Sequence, residues 1–122
     1  MQYSKLRISE EATSRLRSLR QRTGVTPNLL CRAALFLSLE EGALTSPAPN
    51  DRGQEFNAYT LTGDQTSLIG MLIRFVELEN GNPDPDNAAL LKLLAGHIHR
   101  GIGTLAVRAK TAADLGRLAA AA

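Results

Sequence analysis

Apolar positions along this chain fall mostly at helical spacing, with one strict alternation at the start. Tyr3, Lys5 and Arg7 share one face of residues 3–8, and Ser4, Leu6 and Ile8 the other. That is the period of a half-buried strand. A single strand is not stable alone, so its partner must come from elsewhere in the chain or from another copy; an extended arm is the other reading. From Ser9 the period turns helical. Ser9 is a fitting N-cap, with Glu10 and Glu11 in the first turn where the helix dipole favours anions. Ala12 stands where the Glu or Gln of a capping box would be. Ile8, Ala12, Leu16 and Leu19 form one apolar stripe. Arg15 and Arg22 flank it on one side, Arg17 and Arg20 on the opposite side. Gly24 closes this helix and Thr26-Pro27 opens the next. From Leu29 to Leu39 the one strongly polar residue is Arg32. A helix apolar nearly all round is buried on several sides, which in a small domain points to a subunit interface as much as to an internal core. Cys31, within it, reads as a buried structural thiol.

Residues 43–61 are irregular, with a loop at Ser46 to Gly53 and Phe56, Tyr59 and Leu61 expected to pin its far end to the core. Thr62 and Gln65 fit a capping box for a helix bearing Leu68, Leu72, Phe75 and Val76 on one face, Ile69 and Ile73 beside it; Asp64 is the other candidate cap. Gly70, unfavourable in mid-helix, suggests a close helix approach. Asn80-Gly81 ends that helix, and Asp84-Pro85 is expected to restart one with Leu90, Leu91, Leu94 and Ile98 as its stripe. Gly101 and Gly103 then interrupt the pattern before a last helix over 104–119. The fold class expected is mainly α: about five helices in a single domain over 1–122, with a possible short N-terminal strand.

Composition supports helices. Aromatic content is 4%, with no Trp, so the core must be aliphatic. The net charge of +2 is too small to imply a nucleic-acid partner by itself. Its distribution says more. Residues 1–24 carry six cations and two carboxylates, residues 25–96 four and nine, and residues 97–122 four and one. Both ends are basic, so a folded surface could concentrate positive charge. Arg100, Arg108, Lys110 and Arg117 form the second basic cluster. No apolar run approaches the ~20 residues of a membrane helix, and the N-terminus lacks a signal-peptide core. A cytoplasmic protein is expected.

Little points to catalysis. His97 and His99, at i and i+2, lie about 200° apart on a helix and cannot jointly grip a metal there. They read as polar residues near a basic helix end. P-loop, GxGxxG, paired-Cys and GxSxG signatures are missing from the sequence. No catalytic residue, metal or cofactor is expected.

Two resemblances add to this reading. YSKLRIS, followed by two helices and a short Gly turn, resembles a ribbon–helix–helix (Met-repressor-like) module. In such modules the strand pairs with its copy in a dimer, and its exposed face, here Tyr3, Lys5 and Arg7, reads DNA. More extensively, KLRISEEATSRLRSLRQRTGVTPNLLCRAALFLSLEEG, FNAYTLTGDQTSLIGMLIRFVE and LLKLLAGHIHRGIGTL resemble the DndE family of bacterial DNA sulfur-modification proteins, over residues 3–105. That resemblance implies a small helical homo-oligomer, dimer or tetramer. It would act with other Dnd proteins and a cysteine desulfurase when sulfur replaces a non-bridging phosphate oxygen in DNA. It also implies DNA binding through positive side chains, carried here to Lys5, Arg7, Arg15, Arg17, Arg20 and Arg22. Phosphate contact by Arg and Lys gives affinity without sequence information, and the few aromatics give poor material for stacking on single strands. Duplex DNA, intact or nicked, is therefore the expected partner. The alternatives are a sequence-specific ribbon–helix–helix repressor and an adaptor that touches no DNA.

Overall fold

The computed structural model describes residues 1–121 and is mainly helical. In order, it runs β1 (Lys5–Arg7), α1 (Glu10–Thr23), α2 (Pro27–Glu41), β2 (Glu55–Asn57), α3 (Ala58–Leu61), a 3-10 turn at Gly63–Gln65, α4 (Thr66–Glu79), α5 (Asn87–Arg108) and α6 (Ala112–Ala121). β1 finds its partner inside the chain. It pairs antiparallel with β2, setting Lys5 opposite Asn57, Leu6 opposite Phe56 and Arg7 opposite Glu55. The pairing with a second copy that the ribbon–helix–helix resemblance implies is replaced by this internal ladder. Ile8 N–H extends it to Gln54 O at 3.1 Å.

The helix boundaries follow local chemistry. Ser9 caps α1 by accepting the Ala12 N–H at 3.1 Å. Gly24 ends it at φ 73, a left-handed conformation that glycine adopts without strain, and donates to Arg20 O at 2.8 Å. Thr26 precedes Pro27 at the start of α2, without a side-chain cap bond. Asp86, not Asp84, caps α5 by accepting the Ala89 N–H at 2.8 Å, so Pro85 stays outside the helix.

α5 is the spine. Its stripe Leu90, Leu94, Ile98, Ile102 and Leu105 is fully buried against Leu30, Ala34 and Leu35 of α2, Leu16 and Leu19 of α1, and Ile69 and Ile73 of α4. Contrary to the sequence expectation, α5 runs unbroken through Gly101 and Gly103. Gly101 is there because α2 crosses it: a Cβ would lie 1.8 Å from Ala34 O. Ala34 and Gly101 let two backbones meet, and the cost of a mid-helix glycine is offset by that close packing. The last helix accordingly starts at Ala112 rather than at 104.

Three further expectations are corrected. Thr62 caps no helix through its side chain; it closes α3, and the 3-10 turn leads into α4 from Gln65. α4 buries Ile69, Gly70, Ile73 and Glu77, leaving Leu68 and Phe75 exposed, because the side carrying Ile69 and Ile73 is the one packed against α5. Phe56 and Leu61 do pin the loop end, but Tyr59 is 87% exposed. Gly70 does mark a close approach, though by Met1 of the N-terminal segment and not by another helix.

Candidate nucleic-acid interface

α1 buries Ala12, Leu16, Leu19 and Thr23 and turns its remaining side chains outward. Spacing by turns of 3.6 residues puts Ser14, Ser18 and Gln21 in one row, with Arg15 and Arg22 beside it. These five side chains and Ala106 of α5 line one open concavity of about 460 Å³. Arg15 reaches across Gly103 of α5, and Arg22 Nη2 donates to Ala106 O at 3.3 Å. The backbone carbonyl thus positions Arg22 without neutralising it. Arg15 is engaged by Glu11 at 2.9 Å, an exposed i,i+4 pair of the kind worth about 0.3–0.5 kcal/mol and readily exchanged for a phosphate. On the other flank Arg17 and Arg20 are exposed, and among the described residues neither pairs with a carboxylate.

The strand cations stand elsewhere. Lys5 Nζ lies 3.8 Å and Arg7 Nη2 3.6 Å from the two oxygens of Glu55. With Asp51, Glu55 and Lys92 they line a mixed-charge concavity beside α5. Tyr3 does not share an exposed face with them: its hydroxyl hydrogen-bonds Thr62 Oγ1 at 2.6 Å, and burial raises its pKa. The six expected DNA contacts therefore divide into an α1 set and a strand pair screened by β2. Ser14, Ser18 and Gln21, missed by a search for charge alone, were legible as the polar row of the α1 wheel.

The second basic cluster is also divided. Arg100 points inward and closes the C-terminal end of α2, donating to Ser38 Oγ (2.8 Å), Ser38 O (2.6 Å), Gly42 O (2.5 Å) and Ala43 O (3.1 Å), with Glu41 at 3.3 Å. Arg117 pairs with Asp114. The Lys110 backbone N–H, then Arg117, hold the Asp114 carboxyl below its usual pKa. Arg108 and Lys110 remain exposed.

The histidines are structural parts of the helix junctions, not surface residues. Ser38 Oγ, accepting from Arg100, is 2.8 Å from His97 Nδ1, which leaves His97 Nε2 buried without a partner among the described residues. Burial, then the Arg100 charge, push the His97 pKa down to about 4. His99 Nδ1 lies 2.6 Å from Ser9 Oγ, and its Nε2 3.8 Å from Glu11. Cys31 is fully buried, and burial pushes its thiol up to about 12. Among the described residues no group of three or more His, Cys, Asp or Glu side chains could hold a metal ion. No helix there is long and apolar enough to cross a membrane.

Comparison with known proteins places this geometry. Residues 5–113 match the family model described as DndE, DNA sulphur modification protein DndE. The fold is similar to a crystal structure of DndE from Escherichia coli B7A involved in DNA phosphorothioation modification, at TM-score 0.72 and 26% identity, covering 86% of this chain and 100% of that one. A DndE variant with glycines replaced by lysine, also involved in DNA phosphorothioation, has the same fold at TM-score 0.70 and 23% identity, over 86% of this chain and 99% of its own. No curated protein matches the sequence. With the family model spanning nearly all of the chain, from β1 into the start of α6, the protein belongs to the DndE family.

Proposed function

We propose that this protein binds the phosphate backbone of duplex DNA as an accessory subunit of the phosphorothioation system, alongside other Dnd proteins in the cytoplasm. The observation that carries the reading is the outward face of α1. Arg17 and Arg20 have no carboxylate partner among the described residues, and Arg15 and Arg22 frame a row of Ser14, Ser18 and Gln21. Guanidinium, hydroxyl and amide donors on one rigid helix suit phosphate oxygens, which accept from several donors at once. Lys5 and Arg7 contribute less, because Glu55 partly neutralises both. Arg100 contributes nothing, because its donors are used inside the fold.

The protein acts as a homo-oligomer by this reading. Leu29 (48% exposed) and Phe36 (37%) stand beside an apolar groove on α2 that also takes in Val25, Ala33, Leu105 and Leu115. A face of that composition is the kind buried between subunits. The role is binding rather than catalysis: Cys31 is held as a thiol in the core and both imidazoles are engaged at helix junctions.

The test is a gel shift on intact, nicked and single-stranded DNA across a salt series. Four arginines on phosphates predict a log–log salt slope of about −3.6 per protein chain. The double substitution Arg17→Glu, Arg20→Glu is expected to weaken binding to unrelated duplexes alike. Salt-independent affinity, or wild-type binding by that variant, would contradict the reading.

A further inference from the structure

The apolar groove on α2 is already partly occupied. It measures about 540 Å³, with Leu29, Ala33 and Phe36 of α2 and Leu105 of α5 among its lining residues. Leu115, Gly116 and Leu118 of α6 complete it. α6 is held there lightly. Its polar contacts are local: Asp114 accepts from the Lys110 and Thr111 N–H groups at 2.9 and 3.1 Å and pairs with Arg117. Among the described residues no hydrogen bond or ion pair ties α6 to α1, α2 or α5. Leu115 and Leu118, both only partly buried, are what pack it on the core. With ten residues α6 is shorter than the about 12–15 that an isolated helix needs in water. Gly116 weakens it further. A Cβ at Gly116 would meet nothing within 4 Å, so this glycine, unlike Gly101, answers no packing need. It lowers helix stability about fivefold relative to alanine. Ala109, fully buried with extended backbone, anchors the segment that leads into α6. The family match ends at residue 113, so α2 lies inside it and all but the first two residues of α6 lie beyond it.

We propose that α6 is a reversible strap over the α2 groove, and that it competes with a second copy of this chain for the same apolar face. The proposal rests on the reading of that face as a subunit contact. A second copy brings an identical apolar surface, and the one charged residue lining the groove is Glu40. While Leu115 and Leu118 sit in the groove, a second copy reaches Leu29 and Phe36 but not the full face. Closure of the strap therefore scales the affinity between copies by the fraction of straps open. The two leucines hold α6 closed; its short length and Gly116 let it open.

The test is the dissociation constant between copies, from light-scattering mass across a dilution series of the full chain and three variants. Leu115→Ser, Leu118→Ser releases the strap and is expected to tighten self-association. Gly116→Ala holds it closed and is expected to weaken self-association about fivefold for each strap displaced. Hydrogen exchange in dilute single chains reads the strap without a partner. The Leu115 and Leu118 amides are expected to exchange faster than that of Leu35, and about fivefold more slowly in Gly116→Ala than in the parent. Leu29→Glu tests the underlying face alone and is expected to separate the copies whatever α6 does. A parental constant for Leu29→Glu, or single chains at every concentration even with α6 released, removes the α2 face as a subunit contact and this proposal with it. Separation by Leu29→Glu with parental constants in both α6 variants keeps the face and overturns the strap. Weaker self-association of Leu115→Ser, Leu118→Ser makes α6 part of the contact and also overturns it, as does tighter self-association of Gly116→Ala.

Discussion

Replacing Arg100 by Met separates structural from DNA-binding arginine. Arg100 sits on the chain's basic C-terminal side, yet its guanidinium spans four oxygens at the end of α2 and lies 3.3 Å from Glu41. Hydrogen bonds from a charged donor are worth about 1.5–3 kcal/mol each in mutational series. The four do not add. The side chain is 23% exposed, so water can re-solvate some of the carbonyls, and removing the charge also removes its desolvation penalty. Met retains much of the apolar stem contact. A net loss of about 3 kcal/mol is therefore expected, roughly 10 °C in Tm for a domain of this size. Arg100→Lys keeps the charge but not the planar fork, and is expected to recover less than half of that. Urea unfolding by circular dichroism reads the loss as a lower midpoint at unchanged slope. Gel shifts below the melting range are expected to show parental DNA affinity. Parental stability, or weaker DNA binding at parental stability, would refute the assignment of Arg100 to the fold.

Four other outcomes follow from the same packing. Gly101→Ala places a methyl against the Ala34 backbone, which no rotamer relieves, and is expected to destabilise by about 2 kcal/mol or more despite the ~1 kcal/mol helix-propensity gain. Gly103→Ala meets only the flexible Arg15 guanidinium at 3.1 Å and is expected to be neutral or slightly stabilising in the same melt. His97 titrates near 6.5 unfolded and about 4 folded, so the unfolded chain binds the extra proton; stability is full above pH 6.5 and falls by about 3 kcal/mol as pH drops toward 4, a loss that His97→Gln flattens in pH-dependent urea titrations. Cys31, with its thiol near 12, is expected to resist iodoacetamide until the protein unfolds; labelling at the rate of a free thiol under native conditions would contradict its burial.

Much of this fold is legible in the sequence where local chemistry decides it. The α1 stripe, the Ser9 cap, the Gly24 stop and the Thr26-Pro27 start are short-range signals, and each is where the pattern puts it. Failures fall where a distant segment decides. Gly101 reads as a helix breaker until α2 is known to cross it. The α4 stripe of Leu and Phe looks like core, yet the Ile69–Ile73 side is the one that meets α5, and no local rule ranks two apolar faces of one helix. β1 announces a strand but not its partner, since Glu55 to Asn57 is too short a run to register as one. The candidate site divides likewise. Arg15, Arg17, Arg20 and Arg22 are legible from helical spacing. The neutralisation of Lys5 and Arg7 by Glu55 and the inward turn of Arg100 depend on contacts some fifty or more residues away in sequence.

The central claim is that α1 presents its arginines to the DNA backbone. Its most direct test is the salt dependence of duplex affinity for the parent protein beside Arg17→Glu, Arg20→Glu, both checked for parental melting. The account predicts a steep parental slope that the variant reduces by about 1.8 units, two phosphate contacts at ~0.9 each. Equal slopes in a folded variant would place the DNA contact elsewhere and contradict it.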